Sequence, residues 1–144
     1  EGGVVDKYIG DAIMAVFGVP SEQPDDAARA IRAAERMRVA LVRHNVDRER
    51  RGLPPLAHGV GVHYGPMVAG NIGTAERMQY TVIGDAVNLA SRLESATKDT
   101  HVELLVSDTA VQAARAAGAS VPALKVHGTI AVRGHEAVLV HTLA

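Results

Sequence analysis

The stretch Tyr80-Thr81-Val82-Ile83-Gly84-Asp85-Ala86-Val87-Asn88-Leu89-Ala90-Ser91-Arg92 changes its structural period in the middle. Tyr80 to Ile83 are aromatic or β-branched and predict a strand. Gly84-Asp85 interrupts it, and a helix is predicted over Asp85–Thr97. Asn88 and Arg92 stand four apart on that helix and so project from one face. Both lie in its first turns, where free backbone N–H groups and the helix dipole favour an anion. An amide and a guanidinium there suit a sugar-phosphate ligand. Taken singly, each is equally a solvent-facing helix residue or a local cap.

Far away in sequence, Val4-Val5-Asp6-Lys7-Tyr8-Ile9 and Ala12-Ile13-Met14-Ala15-Val16-Phe17 are apolar, partly β-branched runs separated by Gly10-Asp11. That pattern predicts a tight hairpin. Asp11 then stands at its tip, where a carboxylate stays ionised and can reach a metal ion, and Lys7 sits in the strand leading there. By itself Asp11 is explained as turn chemistry.

Elsewhere, Pro20–Asp26 reads as a loop with helix-start chemistry, followed by a helix from about Ala27 into the His44–Arg50 region. Arg29, Arg32, Arg36, Arg38 and Arg43 along it read as a solvated basic face. Arg51-Gly52-Leu53-Pro54-Pro55 is a breaker. Val60, Val62 and Tyr64 alternate with Gly59, Gly61 and His63 as a strand, and Gly70 through Arg77 read as a loop or arm. A Val102–Val106 strand, a Ser107–Ala117 helix capped by Ser107, and closing strands near Leu124–Val126 and Ala137–Thr142 complete the pattern. Interleaved strands and helices of this kind predict an α/β architecture. Gly65 and Gly70 have P-loop spacing, but Asn71 follows where lysine is required. His58, His63 and His101 show no metal-ligand spacing and read as surface or structural residues.

The 144 residues fit one domain with a proper core, and 47% apolar content with modest charge fits a globular protein. A formal net charge of −1 gives no electrostatic case for nucleic acid. With three Tyr, one Phe and no Trp, platforms for stacking single-stranded bases are also scarce. No apolar run approaches a membrane span, so no direct membrane contact is expected. The absence of cysteine is compatible with a reducing compartment, and the expected location is cytoplasmic.

Lys7-Tyr8-Ile9-Gly10-Asp11-Ala12, Met14-Ala15-Val16-Phe17-Gly18, Gly70-Asn71-Ile72-Gly73 and the run from Tyr80 through Ser95 together resemble the catalytic domain of the class III nucleotidyl cyclases, the adenylyl and guanylyl cyclases. The resemblance covers nearly the whole chain. It implies an α+β sandwich with a ferredoxin-like palm. It further implies that residues 1–144 are the C-terminal two-thirds or more of the domain, an earlier strand and helix being missing.

The resemblance also implies roles. Arg92 corresponds to the transition-state arginine on the α-phosphate, and Asn88 to the asparagine that orients the ribose. Asp11 corresponds to the second of two metal aspartates that hold two divalent ions, Mg²⁺ or Mn²⁺. The first belongs to the missing strand, so this chain alone is expected to be inactive. Lys7 and Thr81 correspond to the base-reading pair. A lysine only donates and a threonine hydroxyl can accept, which suits adenine N1 and N6–H, so the expected substrate is ATP. A guanylyl cyclase would usually place Glu at the Lys7 position. At the position of the family's C-terminal Lys-Gly-Lys element the chain has Val126-His127-Gly128-Thr129, with His127 or Arg133 as candidate substitutes. The site is expected to lie between two subunits, here a homodimer. The activity expected is adenylyl cyclisation to cyclic AMP and pyrophosphate; the alternative is a catalytically silent module that binds nucleotide or dimerises.

Overall fold

Leu104-Leu105-Val106 is a short run of three apolar residues, and such a run makes a strand only where both faces of the sheet are covered. In the computed structural model, which describes residues 1–144, these residues form β6 (Leu104–Ser107), buried along its whole length. Strand β6 lies inside a four-stranded sheet in the order β3-β6-β8-β7, with β3 spanning Val60–Val62, β7 Leu124–Ile130 and β8 Val138–Leu143. It pairs in parallel with β3 and antiparallel with β8, and β8 pairs antiparallel with β7.

Alternate residues of β6 serve different cores, as the two-residue period of a strand requires. Leu104 and Val106, with Val62, pack against Ala27, Ala28, Ile31 and Ala34 of α1 (Asp26–Arg50) and against Ala110, Val111 and Ala114 of α3 (Asp108–Ala116). Leu105 faces the other way, with Val132 and Val140, onto Leu89 and Leu93 of α2 (Asp85–Thr100). Helices on both faces of a mixed sheet give the α/β sandwich that the interleaved pattern predicts. Ser107 caps α3 as expected, its Oγ accepting from the Ala110 amide at 3.3 Å.

Beyond Ala34 no residue of α1 is buried. The arginines on this helix are largely neutralised locally: Arg29 pairs with Asp25 and Asp26, Arg32 and Arg36 with Glu1, and Arg38 with Glu35. Arg36 and Arg43 are exposed, as a solvated face requires, whereas Arg29, Arg32 and Arg38 are half-buried in their ion pairs. No helix is long and apolar enough to cross a membrane.

Two hairpins stand apart from the large sheet, each pairing its backbone only within itself. Strands β1 (Val4–Ile9) and β2 (Ala12–Val16) form the predicted hairpin around Gly10-Asp11. Gly10 has φ of +61°, which a two-residue turn with glycine at its first central position demands. The second hairpin corrects the sequence reading. Gly70–Arg77 is not a loop or arm: β4 (Val68–Thr74) and β5 (Arg77–Ile83) pair antiparallel from Val68↔Ile83 to Thr74↔Arg77. Glycines at 70 and 73 lower strand propensity, but pairing along the whole length of β5 outweighs it. Both hairpins leave large apolar side chains exposed, among them Tyr8 at 73% and Val68 at 64%.

Candidate active site

The close seating of α2 on the sheet decides where Asn88 and Arg92 stand. Leu89, Leu93 and Thr97 form its buried stripe. Asn88 and Arg92 lie one residue earlier in each turn, so Asn88 is exposed and Arg92 half-buried at the margin of that stripe. No side chain caps the helix start at Gly84, so its first amides remain available to an anion.

The loop between β7 and β8 folds over this end of α2. Arg92 Nη1 donates to the backbone carbonyl of Arg133. A Cβ on Gly134 would lie 3.2 Å from the same nitrogen. His135 Nε2 stands 3.3 Å from Asp85 Oδ1 in the first turn of the helix. Arg92 and Arg133, with Ser95 and Asp99, line an open cleft of about 380 Å³. His127 is elsewhere, exposed on β7, and no hydrogen bond or ion pair joins it to Arg92. Of the two substitutes named from sequence, the structure brings Arg133 to Arg92 and not His127. The sequence carries a signal for this group: Arg133-Gly134-His135 has two basic-type side chains flanking a glycine.

A second group forms where β1 meets β5. Thr81 Oγ1 donates to Asp6 Oδ2 at 2.8 Å, and Lys7 Nζ lies 3.4 Å from the same oxygen. The structure thus brings Lys7 and Thr81 together through a residue that the sequence reading passed over. Its signal was concealed, because regular alternation would send Asp6 and Lys7 to opposite faces. Asp11 remains at the tip of the first hairpin, exposed and without a side-chain hydrogen bond or ion pair. No hydrogen bond or ion pair joins the Lys7–Asp6–Thr81 group to the Arg92 group or to Asp11.

Hard divalent cations require several oxygen ligands. The chain holds no group of three or more His, Asp or Glu side chains placed to share one ion. Asp11 has the right chemistry for one ligand, but the residues present do not build a complete metal site.

Below α2, His63 Nδ1 lies 2.9 Å from Ser107 Oγ, tying β3 to the start of α3. Burial pushes the His63 imidazole below its usual value; nearby Asp85 opposes that shift and His135 reinforces it. At the first residue of α3, His141 Nε2 is 2.7 Å from Asp108 Oδ1, and this hydrogen bond holds the Asp108 carboxyl below the usual range. Both histidines therefore act structurally.

Comparison with known proteins bears on this arrangement. Residues 5–144 match the family described as the adenylate and guanylate cyclase catalytic domain. A protein of Anabaena cylindrica named adenylate cyclase is 43% identical over 117 residues, which cover 77% of this chain and 22% of that protein. The chain thus spans about a fifth of the length of the curated relatives it matches. Among solved structures, the adenylyl cyclase CyaB from P. aeruginosa superposes with a TM-score of 0.85 at 33% identity, covering 99% of this chain and 72% of that one. The guanylyl cyclase Cya2 superposes with a TM-score of 0.82 at 35% identity, covering 99% and 70%. By fold and by sequence, this chain belongs to the adenylate and guanylate cyclase catalytic domain family.

Proposed function

We propose that this domain takes part in converting ATP to 3′,5′-cyclic AMP and pyrophosphate. The observation that carries the choice of adenine is the Lys7–Asp6–Thr81 group, where an ammonium that can only donate adjoins a hydroxyl that can accept. Adenine offers an acceptor at N1 and a donor at N6, which this pair satisfies. Guanine offers a donor at N1 and an acceptor at O6. That mismatch leaves polar groups unpaired, which is how a site rejects a close analogue.

In the reaction the ribose 3′-oxygen attacks the α-phosphorus and the bond to the β-phosphate bridging oxygen breaks. Pyrophosphate leaves and the 3′-hydroxyl proton passes to solvent. Asn88 orients the ribose so that the attack is in line. Arg92 meets the charge that develops on the α-phosphate. Arg133 and His135, beside Arg92 and Asp85, are suited to the triphosphate end. Asp11 is the residue of this chain that would help to hold divalent ions, Mg²⁺ or Mn²⁺, which would supply charge neutralisation.

Asp11 is unconnected to either the base-reading group or the Arg92 group within one chain, and the two hairpins expose apolar side chains. Both features support a site shared between two copies about a twofold axis, with Asp11 and Lys7 of one chain serving different sites. A cytoplasmic setting, where ATP is plentiful, belongs to the same reading.

The test is cyclic nucleotide production by the full-length protein with Mn²⁺ and either ATP or GTP. Cyclic AMP from ATP alone supports the proposal. A folded, dimeric protein that binds ATP but releases no product would instead be a nucleotide-binding module without turnover.

A further inference from the structure

Asp6 occupies an irregular position in β1. Val5 pairs with Ala15 and Lys7 with Met14, and the register shifts between them so that Asp6 has no partner. Such a bulge breaks the alternation of the strand and re-aims a side chain. Here it turns the Asp6 carboxylate to the same side as the Lys7 ammonium and against Thr81, a residue 75 positions further along the chain. The Asp6 side chain is 8% exposed and the Lys7 side chain 34%, so the carboxylate lies beneath the ammonium and is the more enclosed of the two. Thr81 is buried beside it.

We propose that Asp6 is a positioning residue that sets the choice of nucleobase by fixing the hydroxyl of Thr81 as an acceptor. A hydroxyl is ambivalent: free to rotate, it donates to a guanine O6 as readily as it accepts from an adenine N6–H. A carboxylate accepts only, so the Thr81 proton is directed at Asp6 Oδ2 and the lone pairs are left for the base. The same oxygen anchors Lys7 Nζ at 3.4 Å, which holds the donor of the pair next to the acceptor. Guanine then meets an acceptor opposite its own O6. The inference rests on Lys7 and Thr81 being the base-reading pair and adds the residue that gives Thr81 its polarity.

The experiment measures kcat/KM for ATP and for GTP separately in the full-length protein. It compares the wild type, Asp6→Ala, Asp6→Leu and the double variant Asp6→Ala/Thr81→Asp. Asp6→Leu guards against misfolding, because Val4, Val5, Val16, Val19 and Val82 line the cavity around Asp6 and receive an apolar side chain. The ATP-to-GTP ratio is expected to fall about tenfold in both single variants, the scale of one misdirected hydrogen bond. It should return in the double variant, where position 81 is an acceptor whatever its neighbour does.

If both substrates lose kcat/KM equally and the ratio is unchanged, Asp6 merely ties β1 to β5 and the inference falls while the base-reading pair stands. An unrestored ratio in the double variant overturns it as well. A wild type that prefers GTP or makes no cyclic nucleotide removes the reading of Lys7 and Thr81, and this inference with it.

Discussion

Gly61 of β3 lies so close beneath α2 that a Cβ built on it would stand 2.3 Å from the carbonyl oxygen of Ala90 and 2.4 Å from the amide nitrogen of Glu94. These are backbone atoms between and beside the turns that carry Asn88 and Arg92, so the glycine sets the height of α2 above the sheet. No side-chain rotation relieves the clash; α2 itself must move. Gly61→Ala is therefore expected to cost roughly 2–3 kcal/mol, read from the urea midpoint. It should also lower cyclase activity more than the lost folded fraction explains. Unchanged stability and activity would mean that the helix is not held at this contact.

Arg92 donates to a backbone carbonyl on an exposed loop and carries no core packing. Arg92→Ala is expected to lower kcat by about 10²–10³-fold, as removal of a preorganised donor to developing charge does. The melting temperature should hardly move. Full turnover in the variant would remove Arg92 from the chemistry.

Leu105 is completely buried between β8 and α2, whereas Val126 on β7 is 60% exposed. Leu105→Ala is expected to destabilise by about 2–5 kcal/mol through lost burial and a residual cavity. Val126→Ala should stay within about 0.5 kcal/mol. Denaturant titration of the two variants side by side measures the contrast, and equal effects would contradict the placement of the second core.

His63 makes stability depend on pH in a definite direction. Its imidazole is held below the usual value by burial, so the folded chain protonates it only at lower pH than the unfolded chain, where the value is about 6.5. Between those two values the unfolded state binds more protons, and stability falls as pH falls. The melting temperature is expected to drop from pH 7 to pH 5.5. The drop should be smaller in His63→Asn, which keeps a hydrogen-bonding group beside Ser107. An identical slope in both proteins would show that His63 titrates alike folded and unfolded.

Much of the fold is legible in the sequence because hydrophobic period and turn chemistry are local. The Gly10-Asp11 hairpin, the strand-to-helix change at Gly84 and the Ser107 cap all follow from residues within a few positions of one another. The β4 strand was not legible, since its glycines weaken local preference and its stability comes from pairing with β5. Which of His127 and Arg133 lies beside Arg92 depends on the path of the chain after Ile130, which brings the backbone carbonyl of Arg133 to the Arg92 guanidinium.

The identity of the chemical groups is carried by the chain's own residues: a donor at Lys7, a hydroxyl at Thr81, an amide and a guanidinium four residues apart at Asn88 and Arg92, and a carboxylate at Asp11. Which of them meet depends on how distant segments pack. Asp6 joins Lys7 to Thr81 because a bulge overrides strand alternation and β1 lies against β5. The backbone of Arg133 meets Arg92 because the β7–β8 loop folds across α2. Such contacts depend on where distant segments are packed, and packing is a property of the whole chain, which no local window of residues encodes.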